Sequence, residues 1–204
     1  MDKQKEFIKL FEKVKSHYKN ENKRLAGEGW EKNWQTLFAT IMSAQTLDET
    51  TIPAAEELFS KYKNLETIAS LDPIDVKQVI KRVNYNNTKA KHLVLAARYL
   101  LENHNGVVPN TLDELIKIPG VGRKTANLVL AECFQKDAIC VDTHVHKISN
   151  MFGFVNTKNP NDTEIALMEL LPKKYWGQIN RYFVLWGKEK SRYTKESLLE
   201  IIKA

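Results

Sequence analysis

The sequence predicts an all-α protein, and three observations carry that expectation. Apolar residues recur at three- and four-residue spacing, most clearly in Ala90, Leu93, Val94, Ala97, Leu100 and Leu101. Helix-start signals precede the periodic segments: Asn64, Asp72-Pro73, Thr88, Thr111 and Thr194. Nothing alternates as a sheet strand would, and Ile139-Cys140-Val141 is the only short extended candidate. There is no internal repeat and no low-complexity run.

Taken in order, residues 2–20 form an amphipathic helix, with Phe7, Phe11, Val14 and Tyr18 on one stripe and a solvated, lysine-rich face opposite. The polar stretch 20–29, with two glycines, marks a crossing between domains. Asn33 is expected to cap a helix through Trp34, Leu37, Phe38, Ile41 and Met42. Asp48 is expected to cap the next, with Pro53 in its first turn and Leu58, Phe59 and Tyr62 facing inward. Asn64 and Asp72-Pro73 open two short helices. Residues 83–88 read as a polar loop around Tyr85, Thr88 caps the long helix, and Gly106 suits its end. Beyond Asp142 come further helices, a loop over 155–163, and helices at about 163–171, 175–187 and 194–203.

The chain is organised around residues 111–146. Thr111, with Glu114 as capping-box partner, opens a helix carrying Leu112, Leu115 and Ile116. Pro119-Gly120-Val121-Gly122 then turns sharply, since proline fixes φ and each glycine admits positive φ. A second helix starts near Arg123 and turns Ala126, Val129 and Leu130 inward. Its N-terminal N–H groups are a site for a phosphate. Lys124 lies in the first turn, where the helix dipole and Arg123 both disfavour its charged form, which suits an amine nucleophile. Asp142 lies downstream of that helix, just before another helix start. Taken singly, these are a turn, a surface lysine and an N-cap. Their order in one frame is the informative feature.

Composition sets bounds on function. The chain has 204 residues, 43% hydrophobic, enough for one large or two small domains. Its formal net charge of +6 suits a polyanionic partner without specifying one. No apolar run reaches the length of a membrane span and the N-terminus is no secretory signal, so an intracellular location is expected, cytoplasmic or nucleoid in a prokaryote. The two cysteines, Cys133 and Cys140, form no disulfide framework and cannot supply the four thiolates of an iron–sulfur cluster.

Residues 115–126 (LIKIPGVGRKTA) and 141–144 (VDTH) resemble the helix-hairpin-helix DNA glycosylases, most closely the endonuclease III branch. Ser43-Ala44-Gln45 and residues 85–90 (YNNTKA) also resemble family segments in the right order, and the likeness spans residues 34–187. It implies a six-helix domain over 26–136 and a second helical domain of 1–25 plus 137–204, with Lys124 and Asp142 facing across a cleft. It implies base excision repair by a glycosylase with AP-lyase activity, acting as a monomer on double-stranded DNA that holds damaged bases or abasic sites. Lys124 is the nucleophile and Asp142 the charge-stabilising carboxylate. Gln45 and Tyr85 fill the gap left by a flipped base. Asn86, Lys89, Gly120, Val121, Gly122, Arg123, Thr125 and His144 complete the expected DNA contacts. Tyr85 stands where the branch usually has leucine, and Asn84 where it has glycine. Tyr85 could equally anchor its loop to the core.

The lysine argues for lyase chemistry, and oxidised pyrimidines are the expected substrates, with oxidised guanine and alkylated purines as rivals. A non-catalytic DNA-binding protein and a relative with a degenerate substrate pocket are the alternatives of other kinds. No cofactor is expected. The family hairpin can hold a monovalent cation, here on the backbone carbonyls of Ile116, Ile118 and Val121. The branch usually places four cysteines after its last core helix. This chain has none beyond Cys140, and Ser191 falls near the first such position. The segment 191–203 is expected to replace the cluster loop, docking its apolar stripe on Phe7 and Phe11.

Overall fold

The computed structural model describes residues 2–203. Every regular element among them is helical. The chain divides into two compact units, residues 24–136 and residues 1–23 with 137–204. The division has a visible cause. Arg181 donates to the carbonyls of Glu21 and Lys23 at 3.1 and 3.3 Å, tying the end of the N-terminal segment to its own unit. Arg24, the next residue, turns to the other unit. It donates to the Glu28 carbonyl at 2.6 Å, pairs with Glu56 at 3.0 Å and lies 4.0 Å over the Trp30 ring.

In chain order, α1 (Lys3–His17) belongs to the discontinuous unit. Residues 24–136 hold α2 (Asn33–Ser43), α3 (Asp48–Lys61), α4 (Leu65–Ser70), α5 (Pro73–Val79), α6 (Asn86–His104), α7 (Leu112–Leu115) and α8 (Arg123–Phe134). Helix α6 packs on α4 and α5, and α2 packs on α3, α6 and α8. The apolar periodicity fills this core: Leu37, Phe38, Met42, Leu58, Ile68, Ile80, Leu93 and Leu100 are fully buried.

Several helix starts differ from expectation. Lys32, not Asn33, is the N-cap of α2, and its N–H is satisfied by the Gln35 side chain at 2.9 Å. Asp48 is the first residue of α3, and its carboxylate accepts the Ala26 N–H at 3.1 Å. Pro53 therefore falls in the second turn, where it has no N–H to donate to the Glu49 carbonyl. Helix α6 begins at Asn86, two residues before Thr88, with Tyr85 as N-cap.

The other unit adds α9 (Thr143–Met151), α10 (Pro160–Leu170), α11 (Trp176–Lys188) and α12 (Lys195–Ile201). Asn159-Pro160 opens α10 as N-cap and N1, so residues 160–163, expected in a loop, are helical. Residues 138–141 are buried but form no strand, and Asn180 holds the Cys140 carbonyl at 3.2 Å. Phe7 meets Phe154 and Phe183 at ring separations of 4.9 and 5.7 Å, and Phe11 meets Tyr175 and Tyr182 edge-on. The expected docking of α12 on α1 falls beside Phe7 and Phe11, where Leu199 and Ile202 line one cavity with Leu10, and α12 has a second anchor. Leu198 is buried, and its carbonyl accepts the Trp186 indole N–H at 3.0 Å.

Candidate functional site

In the hairpin between α7 and α8, Thr111 accepts the Glu114 N–H at 3.4 Å, and its hydroxyl donates to the Glu114 carboxylate at 2.5 Å. The turn is closed by the Val121 N–H, which donates to the Ile118 carbonyl at 3.0 Å. The Val121 side chain is buried, so it reaches no ligand by its side chain or N–H. Only one of the two glycines needs its freedom here. Gly120 has φ +82°, and a Cβ on it would come within 2.8 Å of His92 on α6. Gly122 has φ −95°, and a Cβ there would meet nothing within 4 Å. The backbone does not require that glycine; its bareness leaves space in front of the α8 N-terminus. Arg123 and Lys124 are exposed beside that space, whereas Thr125, expected as a contact, is buried.

Two further turns sit in the same unit. After α2, Ser43 to Thr46 form a type II turn: Ala44 has φ −55° and ψ 117°, Gln45 has φ +53°, and the Thr46 N–H returns to the Ser43 carbonyl at 3.0 Å. Glycine is the usual occupant of the Gln45 position. Tyr85 also lies in the left-handed region, at φ 58° and ψ 34°, as the N-cap of α6. A left-handed conformation costs roughly 1–2 kcal/mol for a residue with a Cβ. Asn105 and Gln135, the other non-glycine residues at positive φ, end helices, where that conformation is common. Gln45 and Tyr85 instead face outward, and Tyr85 is 65% exposed, so it does not anchor its loop to the core.

Lys89 corrects the expected contact list. It is buried, 5% exposed, and its ammonium donates to the Met42 carbonyl at 2.6 Å, the Ala44 carbonyl at 2.5 Å and the Thr46 hydroxyl at 3.0 Å. It caps the C-terminus of α2 from one turn inside α6 and offers nothing to a ligand. Burial pulls its pKa down to about 8, which still leaves it charged at neutral pH. Three charge-assisted bonds, each contributing about 1.5–3 kcal/mol, offset that burial and the strain of the turn. Asn84 ties the two turns together: its side-chain amide donates to the Gln45 carbonyl at 2.5 Å and its backbone N–H to the Thr46 hydroxyl at 3.2 Å. Asn86, half-buried, donates its amide to the Lys81 carbonyl at 3.0 Å. Helix α6 is thus a strut, bracing the Gln45 turn with Lys89 and underlying Gly120 with His92 one turn later.

Asp142 and His144 lie in the other unit. Asp142 is the N-cap of α9, accepting the Val145 N–H at 2.8 Å through one carboxylate oxygen. His144 packs over Gly187, where any Cβ would strike its ring. Its Nδ1 is 3.1 Å from the Tyr193 hydroxyl, and the two rings stack at 6.0 Å. Burial, and then the charge of Asp142, push the Tyr193 hydroxyl up to about 12. Tyr193 was not a sequence candidate and carries no motif. Lys89 was detectable as a lysine inside the apolar stripe that continues through Leu93 and Leu100.

An all-helical chain, a glycine hairpin feeding a helix with a lysine in its first turn, and an aspartate N-cap on the helix that follows define a helix-hairpin-helix repair protein. The chain belongs to the HhH-GPD superfamily of base excision DNA repair proteins, which residues 38–173 match. It is 44% identical over 155 residues to endonuclease III of Thermotoga maritima, spanning 76% of this chain and 73% of that protein. Endonuclease III of Bacillus subtilis is 34% identical over 156 residues, spanning 76% and 71%. Among solved structures, a non-covalent endonuclease III–DNA complex is similar with a TM-score of 0.84 and 28% identity, over 98% of this chain and 95% of that one. A trapped endonuclease III–DNA covalent intermediate is similar with a TM-score of 0.83 and 28% identity, over 96% and 91%.

Proposed function

We propose that the chain is a bifunctional DNA glycosylase and AP lyase that removes oxidised pyrimidines from duplex DNA, with Lys124 as nucleophile and Asp142 as its acidic partner. The observation that carries this reading is the frame itself: Lys124 in the first turn of α8 behind the bare Gly122, and Asp142 capping α9, the next helix in the chain. The likeness to a protein trapped in a covalent DNA complex supports a covalent step.

The damaged nucleotide leaves the stack. The lone pair of Lys124 Nζ bonds to C1′, and the C1′–N bond to the base breaks, the base taking the proton that the new ammonium gives up. A proton from water on the ring oxygen opens the sugar as the nitrogen lone pair forms a protonated imine, which acidifies the C2′ proton. Loss of that proton expels the oxygen at C3′ and cuts the strand, and water then hydrolyses the imine to free Lys124. Asp142 faces the positive charge that develops on the sugar. The hairpin N–H groups, Arg123 and the approach space at Gly122 hold a phosphate of the strand. Gln45 and Tyr85 occupy the vacated stack, where an aromatic face can stack on a neighbouring base.

The family's two inorganic partners fare differently. Two cysteines, one in each unit, do not fit a four-thiolate cluster, and we assign no role to iron. The carbonyl oxygens of Ile116, Ile118 and Val121 are hard donors that fit a cation, although the Ile118 oxygen already accepts one N–H.

Borohydride reduction in the presence of abasic duplex is the test. The wild-type chain should be trapped covalently and Lys124→Gln should not. Asp142→Asn, which keeps the cap oxygen and drops the charge, should bind DNA but lose base release. Trapping of Lys124→Gln at the wild-type level would remove Lys124 from the mechanism. Binding of abasic DNA by the wild-type chain without any cleavage would mark it as a non-catalytic binder. A panel of single-lesion duplexes separates oxidised pyrimidines from oxidised guanine and alkylated purines.

A further inference from the structure

We propose that Asn84, backed by Lys89, is a positioning residue that couples the Gln45 and Tyr85 turns, so that both side chains enter the duplex as one two-pronged element. The proposal rests on the reading of Gln45 and Tyr85 as gap fillers and adds what makes them act together.

Both prongs sit on backbone that ordinary side chains avoid, at φ +53° and +58°. Each would be easier to build with glycine, but glycine would remove the side chain. Strain of this kind persists only where surrounding contacts over-determine it. Those contacts are shared between the turns. The residue immediately before Tyr85 holds the Gln45 carbonyl with its side chain. The same residue's N–H and the Lys89 ammonium converge on one atom, the Thr46 hydroxyl. Lys89 also gathers the carbonyls of Met42 and Ala44, which fixes the entry to the Gln45 turn from inside α6. A shift of either turn therefore breaks bonds that hold the other. Asn84 is exposed and packs no core, so the bond to Gln45 is what its side chain visibly contributes.

Asn84→Asp keeps the shape and replaces the donor amide by a carboxylate facing a carbonyl oxygen. Asn84→Gly removes the contact without adding charge. Single-turnover rates at saturating enzyme, which are insensitive to affinity, should be compared for excision of an oxidised pyrimidine from duplex and for nicking at a preformed abasic site. Both variants should slow excision about tenfold and slow nicking clearly less, with thermal melting of the protein little changed. The decisive readout is a double-mutant cycle. Gln45→Ala and Tyr85→Ala should be non-additive in the wild-type background and additive in Asn84→Gly. Wild-type excision by both Asn84 variants, or a cycle that keeps its coupling without Asn84, would overturn the proposal. Equal loss on both substrates for Gln45→Ala and Tyr85→Ala would instead overturn the gap-filling reading, and the coupling with it.

Discussion

The hairpin and the paired Gln45 and Tyr85 turns reach positive φ by opposite means. At Gly120 the chain uses a residue without a Cβ, and α6 closes in until only hydrogen fits beside His92. The result presents backbone and nothing else, which suits a ligand recognised by charge. At Gln45 and Tyr85 the chain keeps long side chains at similar dihedral angles and adds buried bonds from Lys89 to hold the first of them. The result presents side chains, which suits a ligand recognised by shape and stacking. A glycine turn is self-sufficient, whereas a turn that must carry a functional side chain depends on its surroundings.

Substitutions on the two sides test that contrast, from the largest expected effect to the smallest. Gly120→Ala combines a left-handed dihedral with a Cβ 2.8 Å from His92 and should destabilise the protein by roughly 2–5 kcal/mol in chemical denaturation. Gly122→Ala should change stability by less than about 0.5 kcal/mol yet weaken DNA binding, because its Cβ would intrude only on an incoming strand. If the two alanine variants unfold at the same denaturant concentration, the assigned division of labour is wrong.

Lys89→Met strands two helix-end carbonyls and should cost about 2–4 kcal/mol at neutral pH. The difference should grow at alkaline pH. With a folded pKa near 8 against 10.5 unfolded, the unfolded chain binds more protons between those values. Wild-type stability therefore gains, relative to Lys89→Met, as pH rises through that window, by at most about 3 kcal/mol, and the gain is absent below about pH 8. The acceptors around the ammonium work against the shift and make this a ceiling. A constant difference from pH 7 to 10.5 would show that burial does not lower the Lys89 pKa.

Gln45→Gly should be mild for the fold and opposite in sign to Gly120→Ala. Relief of the left-handed strain, less the entropy of glycine, leaves between zero and about 1 kcal/mol of stabilisation. Excision from duplex should fall even so. A variant both more stable and fully active would show that the glutamine side chain has no part in the reaction.

The hairpin was legible because its letters are its mechanism: proline, glycine, a lysine one step into a helix. Asp72-Pro73 was legible for the same reason. Asn159-Pro160 carries the same signal and was missed, because the polar residues on both sides read as loop. The strained turns could be located by resemblance but not understood, since left-handed glutamine and tyrosine follow from a brace between segments distant in sequence, not from local preference. Lys89 was expected as a DNA contact, although its place in the apolar stripe of α6 foretold burial. Tyr193 could not be found at all, because its place beside His144 depends on the packing of helices far apart in sequence.

One unit is built from a single stretch of chain and the other from two, and this sets an order of events on the ribosome. Residues 24–136 emerge consecutively and can fold as soon as they are clear. Helix α1 is made first but cannot finish, because Phe7 closes against Phe183, which is added only after the whole of the other unit has been made. At roughly 5–20 residues per second, that is a wait of roughly 10–35 s with an apolar stripe uncovered. The lysines on the opposite face of α1 carry charge that favours solvation of the segment during that interval.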